Sequence, residues 1–427
     1  MHVTRATINN IRIIDDFEFA LDSKTPAAGW HVFLGDNGSG KSTVVRSIVL
    51  ALIGAENAAA SRQDWNGWLR ENVSAGSIAL SVRQHAKHDR WSGNGRTSQN
   101  AFTVRVNMEK NDATSLVETS FQKGSNGPRT VWGNGKGWFS AAFGPFRRFR
   151  GGDREYDRLY YSHPKLAPHL SAFGEDVALS EALEWVRTAR FKALEDDAVA
   201  SSLVQGITEF FNASDLLPHG ARIHGVTADG IMIDNGDGAV VPIEEMSDGY
   251  RSVLSMTLEI LRAMDTAYGR DTFLAALKRG APTTIDLPGV VLIDEVDAHL
   301  HPTWQERIGE WFIASFPEVQ FLVTTHSPII CRAARNNSIW RLATPGSDEP
   351  SRRIAGKDFD RLVNGNLTEA YGTEHFGRDV ERSEASGELL KELANLNRRE
   401  MRGQLDKADA VRLTELRSIL PTTATTI

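Results

Sequence analysis

The stretch HVFLGDNGSGKSTVV at residues 31–45 decides the fold of this chain. The apolar run at 31–34 is typical of a buried strand, and it leads directly into a glycine-rich loop. Apolar residues at helical spacing follow between Ser42 and Leu52. The loop fits the pattern G-x-x-x-x-G-K-[ST], and a strand before it and a helix after it form the context that this motif requires. A plain glycine turn is the structural alternative, and this context argues against it.

Each part of the loop has a predicted task. Glycine lets backbone N–H groups turn inward around phosphate, and the start of the following helix adds a partial positive charge. Lys41 is expected to reach the β- and γ-phosphates, and the Ser42 hydroxyl is expected to ligate Mg²⁺. The predicted cofactors are ATP and Mg²⁺, and the residues predicted to contact the nucleotide in this loop are Asn37, Gly38, Ser39, Gly40, Lys41, Ser42 and Thr43.

A second motif is the apolar run Val290–Ile293, which ends in two carboxylates, Asp294 and Glu295. Ligands of open α/β sheets bind at the carboxyl ends of strands, so these side chains are expected to face the phosphates. Asp294 is predicted to hold the Mg²⁺ shell, and Glu295 to orient or polarise the attacking water. Many strands end in an acidic residue for no functional reason, but the pairing with the phosphate loop favours catalysis.

A third motif, Met246 to Arg251, stands just ahead of a predicted helix. A small hydroxyl residue and a glycine at a helix start can bind an anion through backbone N–H groups. Ser247 is also a good N-cap residue. The two interpretations are compatible, since the capping geometry presents those N–H groups.

Composition limits the classes of function. The chain has 427 residues, with 48 Lys and Arg against 55 Asp and Glu. A net charge of −7 leaves nucleic-acid binding only to a local patch. The single cysteine, Cys331, excludes an internal disulfide and is expected to be a core residue. The longest apolar run, at 48–55, is far below the ~20 residues of a membrane span, and the first residues lack a signal-peptide pattern. We expect a soluble, cytoplasmic protein with no membrane partner.

The pattern divides the chain into four regions. Residues 1–75 form the first ATPase lobe, with the phosphate loop, and 245–345 form the second, with the two later motifs. Between them, 76–244 is predicted to be an α+β insert, with strands first and helices after. Residues 346–427 are predicted to be helical, with Leu389, Leu390, Leu393 and Leu396 on one stripe. That stripe could pack on the chain's own core or form a docking face for a partner.

With these motifs the chain resembles the ABC-type ATPases of the SMC, RecF and OLD group. Gly35–Ser42, Ser247–Arg251, Asp294–Glu295 and Thr325–Pro328 follow the order of that group's motifs. The run from Asp294 to Pro302 is similar to the D-E-x-x-x-H-L-H-P run of OLD and PtuA-like ATPases. Ser140–Arg148 resembles the S-A-Y-G-P-x-R stretch of PtuA-like proteins from Septu and retron defence systems. The resemblance implies an α/β fold, namely an ABC-type P-loop ATPase head with a mixed sheet flanked by helices.

The resemblance also implies a mechanism that needs two chains. Two copies would bury ATP head to tail, and Ser247 and Gly249 of one copy would contact the γ-phosphate held by Lys41 of the other. His326 would be the switch histidine that senses this phosphate. The chain departs from the group's pattern at two positions. In the third motif, which stands where the group has its signature motif, Asp248 replaces a glycine. His301 stands where related proteins carry an aspartate. PtuA-like systems pair such an ATPase with an effector, an HNH nuclease.

Two other functions remain open at this stage. The first is a DNA-repair ATPase of the RecF or SMC kind that clamps DNA. The second is a self-contained OLD-like nuclease, which would need a strand-borne glutamate and a later D-x-D pair. The candidate pair, Asp358 and Asp360, has no preceding acidic strand. The aromatic and arginine run at 146–154 could contact nucleic acid, or could lie at the nucleotide or the dimer interface.

Overall fold

The computed structural model divides into two units, Met1–Gly365 and Asn366–Ile427. The described residues are 1–61, 63–90, 101–111, 117–121, 131–132, 136–147, 159, 162–174, 180–213, 216–217, 220–227, 230–278, 280, 283–347, 349–365, 384–404 and 406–419. Arg148, Arg150 and Arg154 of the predicted arginine run lie outside them.

The first unit contains a mixed six-stranded sheet in the order β16-β15-β3-β14-β13-β7. Its strands are β3 (Gly29–Leu34), β7 (Ser140–Phe143), β13 (Gly289–Ile293), β14 (Val319–Thr325), β15 (Ile339–Arg341) and β16 (Arg352–Ile354). All neighbours are parallel except β15 and β16. Every residue of β7, β13 and β14 is buried. Burial on both faces is typical of parallel strands covered by helices, and β13 is the strand expected from the apolar run Val290–Ile293.

An antiparallel sheet in the order β2-β1-β4-β5-β6 accompanies it. Its strands are β1 (His2–Ile11), β2 (Ile14–Ala20), β4 (Ala75–Arg83), β5 (Phe102–Lys110) and β6 (Val117–Phe121). The alternation of buried and exposed residues in β4 is that of a half-buried strand. One helix, α1 (Lys41–Ala60), packs against strands of both sheets.

Among the described residues, α1 alone is long and apolar enough to span a membrane. However, 72% of its apolar window is buried inside the fold. The helix is interrupted at Gly54, where φ is +81°. A Cβ at that position would lie 2.6 Å from the Trp132 ring, so only glycine fits there.

The remaining helices of this unit flank the sheets. They are α2 (Leu170–Phe173), α3 (Glu181–Leu194), α4 (Ala198–Asn212), α5 (Asp248–Tyr268), α6 (Arg270–Ala276), α7 (Pro302–Ser315), α8 (Pro328–Cys331) and α9 (Lys357–Asn364). Small sheets are formed by β8 (Arg222–Thr227), β9 (Gly230–Asp234) and β10 (Val240–Pro242), and by β11 (Leu277–Lys278) and β12 (Thr284–Ile285). Cys331 is fully buried, as expected.

The predicted division at 76 and 244 stays a prediction, because residues 1–365 form one unit. Strands of the predicted insert pair with strands of both lobes, β4 with β1 and β7 with β13. Residues of the predicted insert therefore share sheets with residues of both predicted lobes.

The second unit contains two described helices, α10 (Glu384–Met401) and α11 (Lys407–Ile419). Leu393 and Leu396 of α10 form a small core with Leu413 and Leu416 of α11. The Arg412 guanidinium binds Glu392 across the two helices. Leu393 and Leu396 of the predicted stripe are therefore covered by the neighbouring helix of their own unit, and the side chain of Leu390 lies outside the described residues.

Candidate functional site

The phosphate loop has the local geometry that its sequence predicts. It begins where β3 ends, and Gly40 takes the N-cap position of α1 with φ of +91°. Gly38 also has a positive φ, of +80°, which favours glycine. Asn37 and Gly38 are exposed, whereas Ser39 is buried. A Cβ at Gly35 would lie 2.4 Å from the Ser39 hydroxyl oxygen, so the loop closes on itself tightly.

Lys41 is buried beneath this loop. Its Nζ donates to the carbonyl oxygens of Gly35 and Asp36, both at 2.9 Å. Burial lowers the pKa of Lys41, and the carboxylates of Glu295, Asp294, Asp297 and Asp36 act in the opposite direction. The ammonium group is therefore held at the loop and within the field of the acidic residues. Ser42 is half-buried and Thr43 is buried at the start of the same helix.

The two predicted carboxylates follow β13 at the carboxyl edge of the sheet. Asp294 is 2% exposed, and its Oδ1 accepts a 2.6 Å hydrogen bond from the Thr324 hydroxyl. The Glu295 backbone N–H donates to the same hydroxyl oxygen at 2.7 Å. Glu295 has φ of +47°, a conformation rare for a residue with a side chain and frequent at functional sites. Thr324 on the neighbouring strand thus fixes both residues.

His326, at the end of β14, has an acidic partner that the sequence did not identify. Its Nδ1 lies 3.3 Å from Oδ2 of Asp297, while its side chain remains 60% exposed. Asp297 is buried and its other oxygen accepts from the Thr325 hydroxyl at 2.5 Å. The imidazole is therefore held on one side and open on the other. The D-E-V-D spacing was visible in the sequence, but nothing there indicated which way Asp297 points.

Arg147 is the second residue whose role the sequence did not reveal. It is 5% exposed and donates to the Gly144 carbonyl at 2.9 Å and the Ser252 hydroxyl at 3.1 Å. Its Nη2 donates to the backbone carbonyls of Asp294 and Glu295 at 2.7 and 2.5 Å. Burial lowers its pKa to about 10, so it stays charged at neutral pH.

The expectation that the arginine run could contact nucleic acid is wrong for Arg147, because its guanidinium is enclosed. Its contacts instead tie the residues that follow strand β13 to the helix that follows the third motif.

That third motif lies at the start of α5. Ser247 occupies the N-cap position as predicted, although its side chain makes no capping hydrogen bond. A Cβ at Gly249 would lie 3.0 Å from the His299 carbonyl oxygen. The ring of Tyr250 packs on Trp304, with centroids 5.0 Å apart. Within the described ranges, no hydrogen bond joins Ser247 or Gly249 to the phosphate loop of the same chain.

The residues present fit a magnesium ion. Mg²⁺ prefers oxygen ligands, typically one or two protein groups together with phosphate oxygens and water. The Ser42 hydroxyl at the start of α1 and the buried Asp294 carboxylate supply that chemistry. His301 has a structural role as the N-cap of α7, because its side chain accepts a hydrogen bond from the Thr303 backbone N–H at 3.4 Å. Pro302 follows at the first helical position.

A phosphate loop with a buried lysine, together with a strand that ends in two fixed carboxylates, is the arrangement of a P-loop ATPase domain. The chain belongs to the family described as "AAA domain, putative AbiEii toxin, Type IV TA system", whose profile matches residues 31–332.

Curated proteins with similar sequences include a Septu protein PtuA of Bacillus mycoides, 24% identical over 340 residues, which cover 76% of this chain and 37% of that protein. A retron Ec83 probable ATPase of Escherichia coli is 32% identical over 111 residues, 26% of this chain and 19% of that protein. The chain thus matches less than two fifths of the length of either relative.

Solved structures with a similar arrangement include an SMC head bound to the C-terminal winged-helix domain of ScpA. Its TM-score is 0.47 at 16% identity, with 83% of this chain and 97% of that chain covered. The SMC head domain from Thermotoga maritima gives a TM-score of 0.43 at 14% identity, with 83% and 100% covered.

Proposed function

We propose that this protein binds ATP with Mg²⁺ and hydrolyses it at the site formed by Lys41, Asp294 and Glu295. The observation that carries the proposal is the buried Lys41 ammonium, held by Gly35 and Asp36 within the field of Asp294 and Glu295. Lys41 would bind the β- and γ-phosphates, and Asn37, Gly38, Ser39, Gly40, Ser42 and Thr43 would complete the phosphate cradle. Ser42 and Asp294 would hold a Mg²⁺ ion, which would neutralise charge at the phosphates when bound.

Glu295 is the proposed general base or polarising group for the attacking water. The Asp294 and Glu295 carbonyls are fixed by Arg147, and the Glu295 amide by Thr324, so the side chain starts from a rigid backbone. His326 would contact the γ-phosphate with its open side, while Asp297 holds its Nδ1. In neutral histidine this contact leaves the proton on Nδ1, directed at the carboxylate.

We also propose that two copies bind ATP head to tail. Ser247 is exposed at the start of α5, and Gly249 lies beside the His299 carbonyl. Because Ser247 is exposed at the N-cap of α5, the backbone N–H groups at this helix start are accessible to the nucleotide of a second copy, which supports this role. Specific ATPase activity should then fall on dilution. A turnover per chain independent of concentration, in a protein that sedimentation shows to be monomeric, would exclude the dimer.

The similarity to Septu PtuA and retron ATPase proteins supports a role in prokaryotic anti-phage defence. In this proposal, the ATPase controls an effector protein such as an HNH nuclease and acts in the cytoplasm. The OLD-like nuclease is less well supported, since Asp358 and Asp360 both lie in helix α9. The alternative is a RecF- or SMC-like role with bound DNA, and the experiment must distinguish it from the defence role.

The decisive experiment is purification of a tagged Glu295→Gln variant from its native host. Loss of the carboxylate should trap the ATP-bound state, and mass spectrometry identifies what accompanies it. A stoichiometric nuclease or another toxic effector supports the defence role, whereas recombination proteins with DNA support the alternative. Lys41→Ala is the matched control, because a partner that depends on bound ATP should be lost with that variant.

A further inference from the structure

Apart from the ATP site, a cavity of about 240 Å³ lies beside strand β7 and helix α5. Pockets for drug-sized ligands begin at roughly 300 Å³, so this cavity suits a small molecule. Its walls combine apolar groups with a few polar ones. Its lining includes Trp138, Ser140, Pro164, Lys165, Pro168, His169 and Arg262.

Lys165 is the unusual residue of this cavity. It is 6% exposed, and its Nζ lies 3.8 Å from the centroid of the Trp138 ring. Across the described ranges, no carboxylate or carbonyl accepts a hydrogen bond from this ammonium group. Burial alone lowers its pKa well below the ordinary value. A buried amine without an acceptor is costly, whereas the buried Lys41 and Arg147 both have carbonyl partners.

The other polar groups of the cavity are already engaged. Burial lowers the pKa of His169 to about 3, so its ring is neutral. Its Nδ1 lies 2.8 Å from the Lys165 carbonyl oxygen, which can only accept, so Nδ1 carries the proton. Nε2 then accepts from the Ser140 hydroxyl at 2.9 Å. Arg262 is paired with the buried Glu259 carboxylate. Among the described lining residues, Lys165 is therefore the cation without a counter-charge.

We propose that this cavity is a binding site for a small anion with a phosphate or carboxylate group, whose counter-charge is the Lys165 ammonium. The Trp138 ring and the two prolines would cover the carbon skeleton of the ligand. The cavity is also well placed to affect the ATP site. Strand β7 leads to Arg147, and α5, which carries Arg262, begins at the Ser247 motif. The proposal does not depend on ATP hydrolysis.

The test uses two probes, inorganic phosphate and succinate, added separately to the full chain at constant ionic strength. The melting temperature of the unmodified chain is compared with that of Lys165→Met, which keeps an unbranched side chain one atom shorter and removes the amine. Lys357→Met, at an exposed lysine, is the matched control. Phosphate bound at the phosphate loop raises the melting temperatures of the unmodified chain and of both variants equally. A difference in melting temperature between Lys165→Met and the other two chains therefore reports binding in the cavity.

At each probe concentration we expect a smaller rise in melting temperature for Lys165→Met than for the unmodified chain, and we expect the missing part of the rise to need at least about tenfold more probe. Lys357→Met should behave like the unmodified chain. A loss with phosphate alone assigns a phosphate ligand, and a loss with succinate alone assigns a carboxylate. Equal rises in the unmodified chain and in Lys165→Met, for both probes, would overturn the proposal.

A second measurement needs no variant. The unmodified chain is saturated with a non-hydrolysable ATP analogue, which fills the phosphate loop, and is dialysed against each radiolabelled probe. One bound probe per chain supports the site, and no bound probe of either kind overturns it. This result stands even if Lys165→Met fails to fold.

Discussion

Replacing Arg147 with methionine tests whether this residue positions the Asp294–Glu295 backbone without taking part in ATP binding. The substitution removes four hydrogen bonds, to the carbonyls of Gly144, Asp294 and Glu295 and to the Ser252 hydroxyl. Each buried acceptor left without a donor costs about 1–3 kcal/mol, and relief from burying a guanidinium offsets part of that loss. We expect the free energy of unfolding to fall by about 2–4 kcal/mol.

The effect on turnover should be larger than the effect on nucleotide affinity. Without Arg147, the Asp294–Glu295 peptide can shift, and a displacement of about 1 Å at a catalytic group costs roughly 100-fold in rate. In the described part of the chain, no hydrogen bond joins Arg147 to Lys41 or to the phosphate loop, so the dissociation constant for ATP should change only a few-fold. Phosphate release under saturating ATP gives the turnover, and calorimetry gives the affinity.

Two further variants sharpen this test. Arg147→Lys should not restore turnover, since an ammonium cannot reproduce the planar set of donors that reaches four acceptors. Arg335→Met removes an exposed arginine paired with Glu310, and should change stability by no more than about 0.5 kcal/mol. Unchanged turnover in a folded Arg147→Met chain would refute the positioning role.

Three other substitutions test neighbouring parts of the site. Glu295→Gln should keep ATP affinity and lower turnover by about 100-fold or more, which a phosphate-release assay checks; normal turnover would exclude Glu295 as the polarising group. Asp297→Asn should lower turnover by about tenfold at unchanged ATP affinity, because the amide no longer favours the Nδ1 proton of His326; equal rates would mean that the pair is only structural. Gly144→Ala should lower the free energy of unfolding by about 1–3 kcal/mol in a denaturant titration, because its Cβ would lie 2.2 Å from the Ser171 carbonyl oxygen, and an unchanged midpoint would contradict this.

Local patterns predicted the parts of the site that lie close together in sequence. The strand, loop and helix predicted at 31–52 and the buried strand β13 follow from apolar runs and glycine positions. The roles of Arg147 and Asp297 could not be predicted, because they depend on how distant segments pack. Strand β7 has only four residues, and its pairing with β13 could not be read from its composition. The burial of Lys165 likewise depends on how distant segments pack and could not be predicted from its sequence neighbours.

The position of β3 in the sheet has a consequence for how the protein is synthesised. Its neighbours, β14 and β15, come from much later in the chain, and Trp30 is hydrogen-bonded to Ile330, 300 residues away. Contacts between such distant segments form slowly, and a ribosome delivers about 5–20 residues per second. The phosphate loop is therefore made early, but β3 has no paired neighbour until β14 (Val319–Thr325) has emerged, and both neighbours are present only from residue 341. Nascent chains that stop short of this point should lack the nucleotide site, which couples ATP binding to nearly complete synthesis of the first unit.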